Sequence, residues 1–398
     1  MKVLFWLFMS LDRHSTSGHL LMAVIEQTKK LGHEVCVICK DTGGEEREHL
    51  NTLQELNVEV KSQKYIAPAK SNFAKRYLAE LDYIRQSSKQ INDDYDAVFI
   101  QSNVAAGFAV KRAKKKCPGA IITYNVQDVY PQDVMYAGKV GKNNPAYLAM
   151  SYVQTVAYRN SDHIITISED MSEQIREEGA PEDRIDVIYN WSYRDSLFGV
   201  QEIAPQIADM FDPRYFNVVY AGNIGLFQNV DIVIDAAIKL RESKDIWFHI
   251  FGNGLYKEKL ERKAEENGVR NITFHPIQPH GLAPSIYASA SVNLIPLGKN
   301  QYRAALPSKT ATCLACQKPI IFSIGKDSKF GKVIQEQTGC PVTDSEDSDA
   351  LVENILKVKT GEITVNTRDF FMKNCSISKN SLAYAKIITD NSQEHKHA

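Results

Sequence analysis

Phe216–Phe227, FNVVYAGNIGLF, runs an apolar segment straight into two closely spaced glycines. Val218-Val219-Tyr220-Ala221 reads as a buried strand and Gly222-Asn223-Ile224-Gly225 as a tight turn. Val230 to Leu240 then reads as a helix whose N-terminus faces that turn. Backbone N–H groups at a helix start attract anions, phosphate above all, and glycines let the backbone approach a ligand that a Cβ would block. Two glycines also serve plain strand-to-helix sterics, so the weight of this turn comes from its position, opening the second half of the chain. Asn125-Val126-Gln127-Asp128-Val129-Tyr130-Pro131 is a second polar segment, set after the strand pattern Ala120–Tyr124. Open α/β sheets bind ligands at such carboxyl ends of strands.

Other clusters invite a chemical reading as well. Cys36/Cys39 and Cys313/Cys316 have CxxC spacing. The first pair lies in a strand pattern that sends its members to opposite faces, and the second lies in a helix pattern. Neither offers the knuckle that zinc needs. All seven cysteines therefore read as buried, reduced thiols. Lys111-Arg112-Ala113-Lys114-Lys115-Lys116 closes a helix pattern. It serves equally as a solvated end that complements the dipole and as a patch for anionic lipid headgroups.

The elements that must position these groups alternate along the chain. Lys2–Met9 is a first strand, Ser10–His19 a polar loop, Leu20–Leu31 a helix and Glu34–Cys39 a strand, a βαβ opening that builds parallel sheets. A short strand at Val58–Val60 follows. Phe73, Tyr77, Leu81 and Ile84 then mark one helix face within a stretch, 61–89, rich in Lys and Arg, Lys70 among them. Strand Ala97–Gln101, helix Ala105–Lys116, strand His163–Ser168, helix Glu169–Glu178 and strand Asp186–Tyr189 continue the first half. Trp191–Pro213 lacks periodicity and reads as the interdomain connection. Beyond it come strand Trp247–Phe251 with Gly252-Asn253-Gly254, helix Tyr256–Asn267, strand Ile272–His275, helix Ala283–Ala288 and strand Val292–Ile295. Helix Thr310–Cys316, strand Pro319–Phe322, helical 350–358 and a last helix Ser378–Thr389 complete the chain, with a disordered tail at His395-Lys396-His397.

A length of 398 residues predicts two domains, and 43% hydrophobic with 24% charged residues is a soluble, globular composition. A net charge of −1 argues against nucleic acid as a partner. MKVLFWLFMSL stops at Asp12-Arg13 without a small-residue cleavage site, which favours a core strand over a signal peptide and predicts a cytoplasmic protein.

GHEVCVI at 32–38, Val126–Pro131 and Ile188-Tyr189-Asn190-Trp191 together resemble the N-terminal half of a family 4 glycosyltransferase. YAGNIG at 220–225, FGNG at 251–254, LPSK at 306–309 and ACQKPII at 315–321 resemble its C-terminal half. The ordered set is similar to the WbuB-like branch that makes O-antigen and capsule. The resemblance implies an α/β fold of GT-B architecture, two facing Rossmann-like domains with a cleft between them. Residues 1–195 would form the acceptor side and 214–377 the nucleotide-sugar donor side, with the helix at 378–398 packed back on the first domain. It implies a retaining transfer from a nucleotide sugar, UDP- or GDP-linked, with no cofactor and no metal. The acceptor would be a lipid-linked or other saccharide at an anionic membrane surface.

In such an enzyme protein cations and helix N-termini must stabilise the diphosphate leaving group. Lys309, the lysine of the LPSK segment, takes that role, helped by the Ser308 hydroxyl and the backbone of Gly222, Asn223, Ile224 and Gly225. Gly252, Asn253, Gly254, Pro276 and Ile277 are where base and ribose are expected. Asp128, with Gln127, orients the acceptor hydroxyl or the sugar, and Ser17, Gly18 and His19 stand in the family's first glycine turn. One departure is that Ala304 and Thr312 occupy positions where many members carry glutamates that bind sugar and ribose. Gln317-Lys318-Pro319 also replaces the family's Gly-Lys-Pro. These losses give weight to a rival reading, a non-catalytic partner of a second transferase. An epimerase of the same architecture fits the motif set less well, and a nicotinamide dehydrogenase lacks its GxGxxG.

Overall fold

The computed structural model describes residues 1–12, 16–68, 73–136, 138, 140–192, 199 and 202–390. Lys70 and the 395–397 tail lie outside them, as do residues 193–198 of the connection. The chain divides into two compact units, one of residues 1–135, 140–190 and 377–398, the other of 136–139 and 191–376.

The first unit opens with β1 (Lys2–Ser10), α1 (Thr16–Lys30), β2 (Glu34–Asp41), α2 (Glu48–Glu55), β3 (Glu59–Lys64) and α3 (Phe73–Ser87). It continues with β4 (Ala97–Gln101), α4 (Ala106–Lys116), β5 (Ile121–Val126), α5 (Gln132–Tyr136), α6 (Pro145–Asn160), β6 (His163–Thr166), α7 (Glu169–Glu177) and β7 (Ile185–Val187). All strands are parallel, in the order β3-β2-β1-β4-β5-β6-β7. Near-continuous apolar strands suit a sheet covered on both faces, and Val3 through Leu7 are fully buried in β1, an interior strand. The Tyr130–Pro131 peptide bond is cis.

Two expectations need correction here. Helix α1 begins at Thr16, so Ser17, Gly18 and His19 form its first turn rather than the end of a loop, and Gly18 is buried in helix. The apolar spacing of α3 is only half used: Tyr83 and Ile84 are buried, whereas Phe73 is 43% and Leu78 63% exposed. The N-terminal turns of α3 project beyond what the sheet can cover.

The second unit contains α8 (Pro205–Ala208), β8 (Phe216–Ala221), α9 (Asp231–Lys239), β9 (Ile246–Phe251), α10 (Lys257–Glu266), β10 (Ile272–His275), α11 (Ala283–Ser289), β11 (Val292–Pro296), α12 (Lys309–Ala315), β12 (Ile320–Ser323), α13 (Lys329–Thr338), β13 (Val342–Thr343), α14 (Ser348–Thr360) and α15 (Arg368–Asn374). Its parallel sheet runs β10-β9-β8-β11-β12-β13. One face packs Val218, Tyr220, Phe248 and Ile250 against Ile232, Val233, Ala236, Leu260 and Ile355 of the helices. The last helix, α16 (Ile377–Ile388), belongs to the first unit. There Asn380 Nδ2 donates to the Tyr189 carbonyl at 2.9 Å, and the Tyr384 hydroxyl reaches Asn125 Oδ1 at 3.3 Å.

Candidate active site

In the second unit, chemistry-bearing groups gather at the carboxyl ends of β8, β9 and β10 and at the start of α12. Lys309 is the first residue of α12. Its amine donates to the Ala221 carbonyl at 3.0 Å and sits 3.7 Å from the centre of the Tyr220 ring. No carboxylate pairs with it among the described residues. Burial lowers its pKa to about 7, with Cys313 as a small opposing influence. Tyr220 is held in turn by its hydroxyl, which donates to the Asn223 carbonyl at 2.5 Å. The result is an amine fixed over the GNIG turn by a carbonyl and a ring face, with no carboxylate to hold its proton among the described residues.

The turn differs from its sequence reading. A short 3-10 segment, Leu226–Gln228, follows Gly225, and α9 starts only at Asp231, so the GNIG amides do not open that helix. Two of those amides are already spent: Gly222 donates to the Phe251 carbonyl at 3.0 Å and Ile224 to the Asn253 carbonyl at 2.9 Å. Gly222 has φ +152°, and a Cβ there would lie 3.2 Å from the Lys309 amine and 3.4 Å from the Tyr220 hydroxyl. Its glycine therefore keeps the space around the cation open.

Gly252 and Gly254 serve another purpose. A Cβ on Gly252 would stand 1.9 Å from the Gly222 carbonyl, and one on Gly254 would stand 2.2 Å from that of Ile224. These two glycines let the β8 and β9 turns interlock, rather than admitting a ligand. Asn253 caps its own turn, accepting from the Gly254 amide at 2.8 Å, and the Asn223 amide reaches Gln228 Oε1 at 3.1 Å. Pro276 and Ile277 are exposed just beyond β10, Ile277 by 73%. Ser308 is exposed and makes no side-chain cap of α12. Thr312 is buried inside α12 at 5% exposure and Ala304 is fully buried, so neither faces an open donor surface.

In the first unit the segments that follow β5 and β7 meet. Gln127 is committed at both ends of its amide. Its Oε1 accepts from Asn190 at 2.9 Å, and its Nε2 donates to Asn125 Oδ1 at 3.1 Å and reaches the Tyr384 hydroxyl at 3.3 Å. It ties α16 to the strand ends and leaves no amide group for an acceptor. Asp128, by contrast, makes no side-chain hydrogen bond or ion pair among the described residues, and burial raises its carboxyl to about 6. Ser17 and His19 are partly buried in α1.

A polar centre at the neighbouring strand ends escaped the sequence reading. The Lys40 amine lies 2.6 Å from Glu80 Oε1 and 3.9 Å from the Tyr65 ring centre. The Tyr65 hydroxyl donates to the same oxygen at 2.7 Å, and Asn103 Nδ2 donates to Glu80 Oε2 at 2.7 Å. The only sequence signal was a lysine ending an apolar strand.

All seven cysteines are buried free thiols, and among the described residues no three metal-ligating side chains come together. No helix among the described residues is long and apolar enough to cross a membrane. Lys114 pairs with Asp162 at 3.4 Å, which removes it from the cationic patch, while Lys111, Lys115 and Lys116 stay exposed. Phe108 of α4 is 39% exposed, and Leu148 and Tyr152 of the adjoining α6 are 56% and 67% exposed.

Comparison with known proteins matches residues 18–191 to the family described as Glycosyltransferase Family 4 and residues 210–374 to Glycosyl transferases group 1. The putative colanic acid biosynthesis glycosyl transferase WcaI of Escherichia coli is 29% identical over 256 residues, 61% of this chain and 61% of that protein. The probable glycosyltransferase WbjE of Pseudomonas aeruginosa is 24% identical over 258 residues, 63% of this chain and 64% of its own length. The matches thus span less than two thirds of these curated relatives. Among solved structures, Anabaena HepE in complex with UDP and glucose superposes with a TM-score of 0.68 at 14% identity, covering 100% of this chain and 98% of that one. The likeness shows a GT-B fold.

Proposed function

The chain belongs to the family 4, group 1 glycosyltransferases, and from that premise we propose that it is a retaining, metal-independent enzyme of surface polysaccharide assembly. It moves a sugar from a UDP- or GDP-linked donor to a lipid-linked or other saccharide acceptor. The observation that carries this reading is Lys309. Its amine is part-buried at the GNIG turn with no carboxylate beside it among the described residues, and a protein keeps such a group where an anion will neutralise it. A diphosphate leaving group provides that anion and needs fixed positive charge as the sugar departs. The exposed Ser308 hydroxyl, next in sequence to Lys309, is a further donor for the diphosphate. HepE, of like fold, was solved with UDP and glucose, and WcaI carries a colanic acid role in its description, which supports donor class and pathway type.

Asp128 takes the acceptor side. Its carboxyl, raised to about 6 and without a partner among the described residues, is ionised at neutral pH and free to orient an acceptor hydroxyl. Lys111, Lys115 and Lys116 toward the end of α4, with exposed Phe108 on the same helix and Leu148 and Tyr152 toward the start of α6, offer cations and apolar side chains to anionic lipid at the cytoplasmic face.

One observation favours a second reading, a non-catalytic partner of another transferase: Ala304 and Thr312 are buried, so the sugar-binding carboxylates of many relatives have no counterpart there. The deciding experiment incubates purified chain with nucleotide sugars and a lipid-linked acceptor in EDTA. Transfer by the chain alone is expected. Strict dependence on added magnesium or manganese contradicts the metal-independent mechanism, and activity only with a co-purified transferase supports the partner reading.

A further inference from the structure

Across three strands of the second unit runs a row of polar side chains on the sheet face opposite the helix-packed core. Asn217 of β8, His249 of β9 and His275 of β10 lie on a diagonal, since Val219 pairs with His249 and Phe251 with His275 in the register. His249 Nε2 is 3.0 Å from Asn217 Oδ1, and His249 Nδ1 is 2.9 Å from His275 Nε2. All three residues are at least nine-tenths buried.

The hydrogen-bond directions in this row are determined from one end. Asn217 Nδ2 faces two carbonyls, those of Asp212 at 3.2 Å and Tyr215 at 3.1 Å, so it must donate to them. Its Oδ1 is then an acceptor, and His249 Nε2 must carry a hydrogen. A neutral imidazole carries only one, so His249 Nδ1 accepts and His275 Nε2 donates. Both rings are neutral: burial lowers His249 to about 3, with His275 adding to the shift, and burial with Lys257 lowers His275 to about 4. His275 Nδ1 is left as a bare lone pair, with no partner among the described residues. Phe211 and Phe251 hold the row in place. Phe211 lies 4.5 Å from His249, and Phe251 stacks on His275 at 4.1 Å between centroids.

We infer that His275 reads the nucleobase of the donor, accepting the ring N–H of uracil or guanine and disfavouring cytosine and adenine. This rests on the donor-site reading above. The lone pair stands at the carboxyl end of β10, two strands from the Ala221 and Gly222 turn that holds Lys309, roughly 10 Å by strand spacing. That is the reach of a nucleoside beyond its phosphates. Cytosine and adenine present a ring nitrogen lone pair where uracil and guanine present N–H, so two lone pairs would meet. A site with a fixed acceptor discriminates by leaving that acceptor unpaired.

Calorimetry with UDP, GDP, CDP and ADP tests this, because all four carry the same diphosphate. UDP or GDP is expected to bind at least about tenfold more tightly than CDP and ADP. His275→Phe, which keeps an aromatic ring against Phe251, should weaken the preferred nucleotide, relieve the lone-pair clash with CDP and so erase the difference between them. Lys309-dependent binding without base preference, or preference that survives His275→Phe, overturns this inference and leaves the donor reading standing. No binding of any of the four overturns both. Nitrogen-15 NMR of the wild-type chain gives a second readout: His275 should carry its hydrogen on Nε2, and Asn217→Leu should mix the two tautomers. A hydrogen on Nδ1 in the wild type overturns the inference by itself.

Discussion

Lys309 destabilises the fold that it equips. Its pKa falls from 10.5 in the unfolded chain to about 7 in the folded one. The unfolded state therefore binds more protons between those values, and stability falls as pH drops from 10.5 to 7 and levels off below. Lys309→Met should raise stability at pH 7 by on the order of 2 kcal/mol, with the gain gone above pH 10.5, as chemical denaturation at several pH values would record. Asp128 follows the same logic with opposite sign. Its pKa rises from 3.8 to about 6, so the folded state holds the proton more tightly and loses stability as pH rises through that window. Asp128→Asn should be more stable than the parent above pH 6 and no different, by this term, below pH 4, while transfer activity falls sharply. Wild-type transfer should rise through about pH 6 as the carboxyl ionises. Equal pH profiles for wild type and Asp128→Asn would remove Asp128 from the reaction. At this scale Asp128 is a candidate because it follows a strand pattern, and Lys309 because it is the lysine of the LPSK segment that resembles the family's. The sequence did not reveal that Gln127 is spent on Asn190, Asn125 and Tyr384, because two of those partners lie far along the chain. Tyr220, which supports the Lys309 amine, looked like one more apolar strand residue.

A strand, a glycine pair and a helix were legible in 216–240, and β8 and α9 are there. What glycines accommodate is a matter of neighbours, and for Gly252 and Gly254 the neighbour is the other turn. Gly252→Ala should therefore cost roughly 2–4 kcal/mol through its 1.9 Å clash and φ of +143°. Gly281→Ala, where nothing lies within 4 Å, is the control expected near zero in the same urea titration. Helix α6 is hard to see in the sequence although its start is plain: Asn144 caps the Ala146 amide at 2.9 Å and Pro145 stands at the first position. Its aromatic residues spread round the helix and blurred the apolar period. The two-residue strand β13 carries too little pattern to be seen without its partner β12.

At the scale of the whole molecule, a net charge of −1 conceals a local surface of opposite character. Lys111, Lys115 and Lys116, with exposed Phe108, Leu148 and Tyr152 elsewhere on the α4 and α6 helices, should hold the chain to phosphatidylglycerol vesicles at low salt and release it at high salt. Replacing those three lysines with glutamate should abolish flotation without changing nucleotide affinity. A triple variant that floats like the wild type would reduce the patch to a solvated helix end. Two parallel sheets were legible because buried parallel strands read as apolar runs at regular spacing. The central claim is that Lys309 receives the donor diphosphate. Titration calorimetry of UDP and GDP at pH 8, in two buffers of different ionisation enthalpy, tests it most directly. With Lys309 largely neutral before binding and charged after, the wild type should take up close to one proton per nucleotide bound. Lys309→Met should bind at least about tenfold more weakly and take up none. Equal affinity and equal proton uptake in the two proteins would contradict the account.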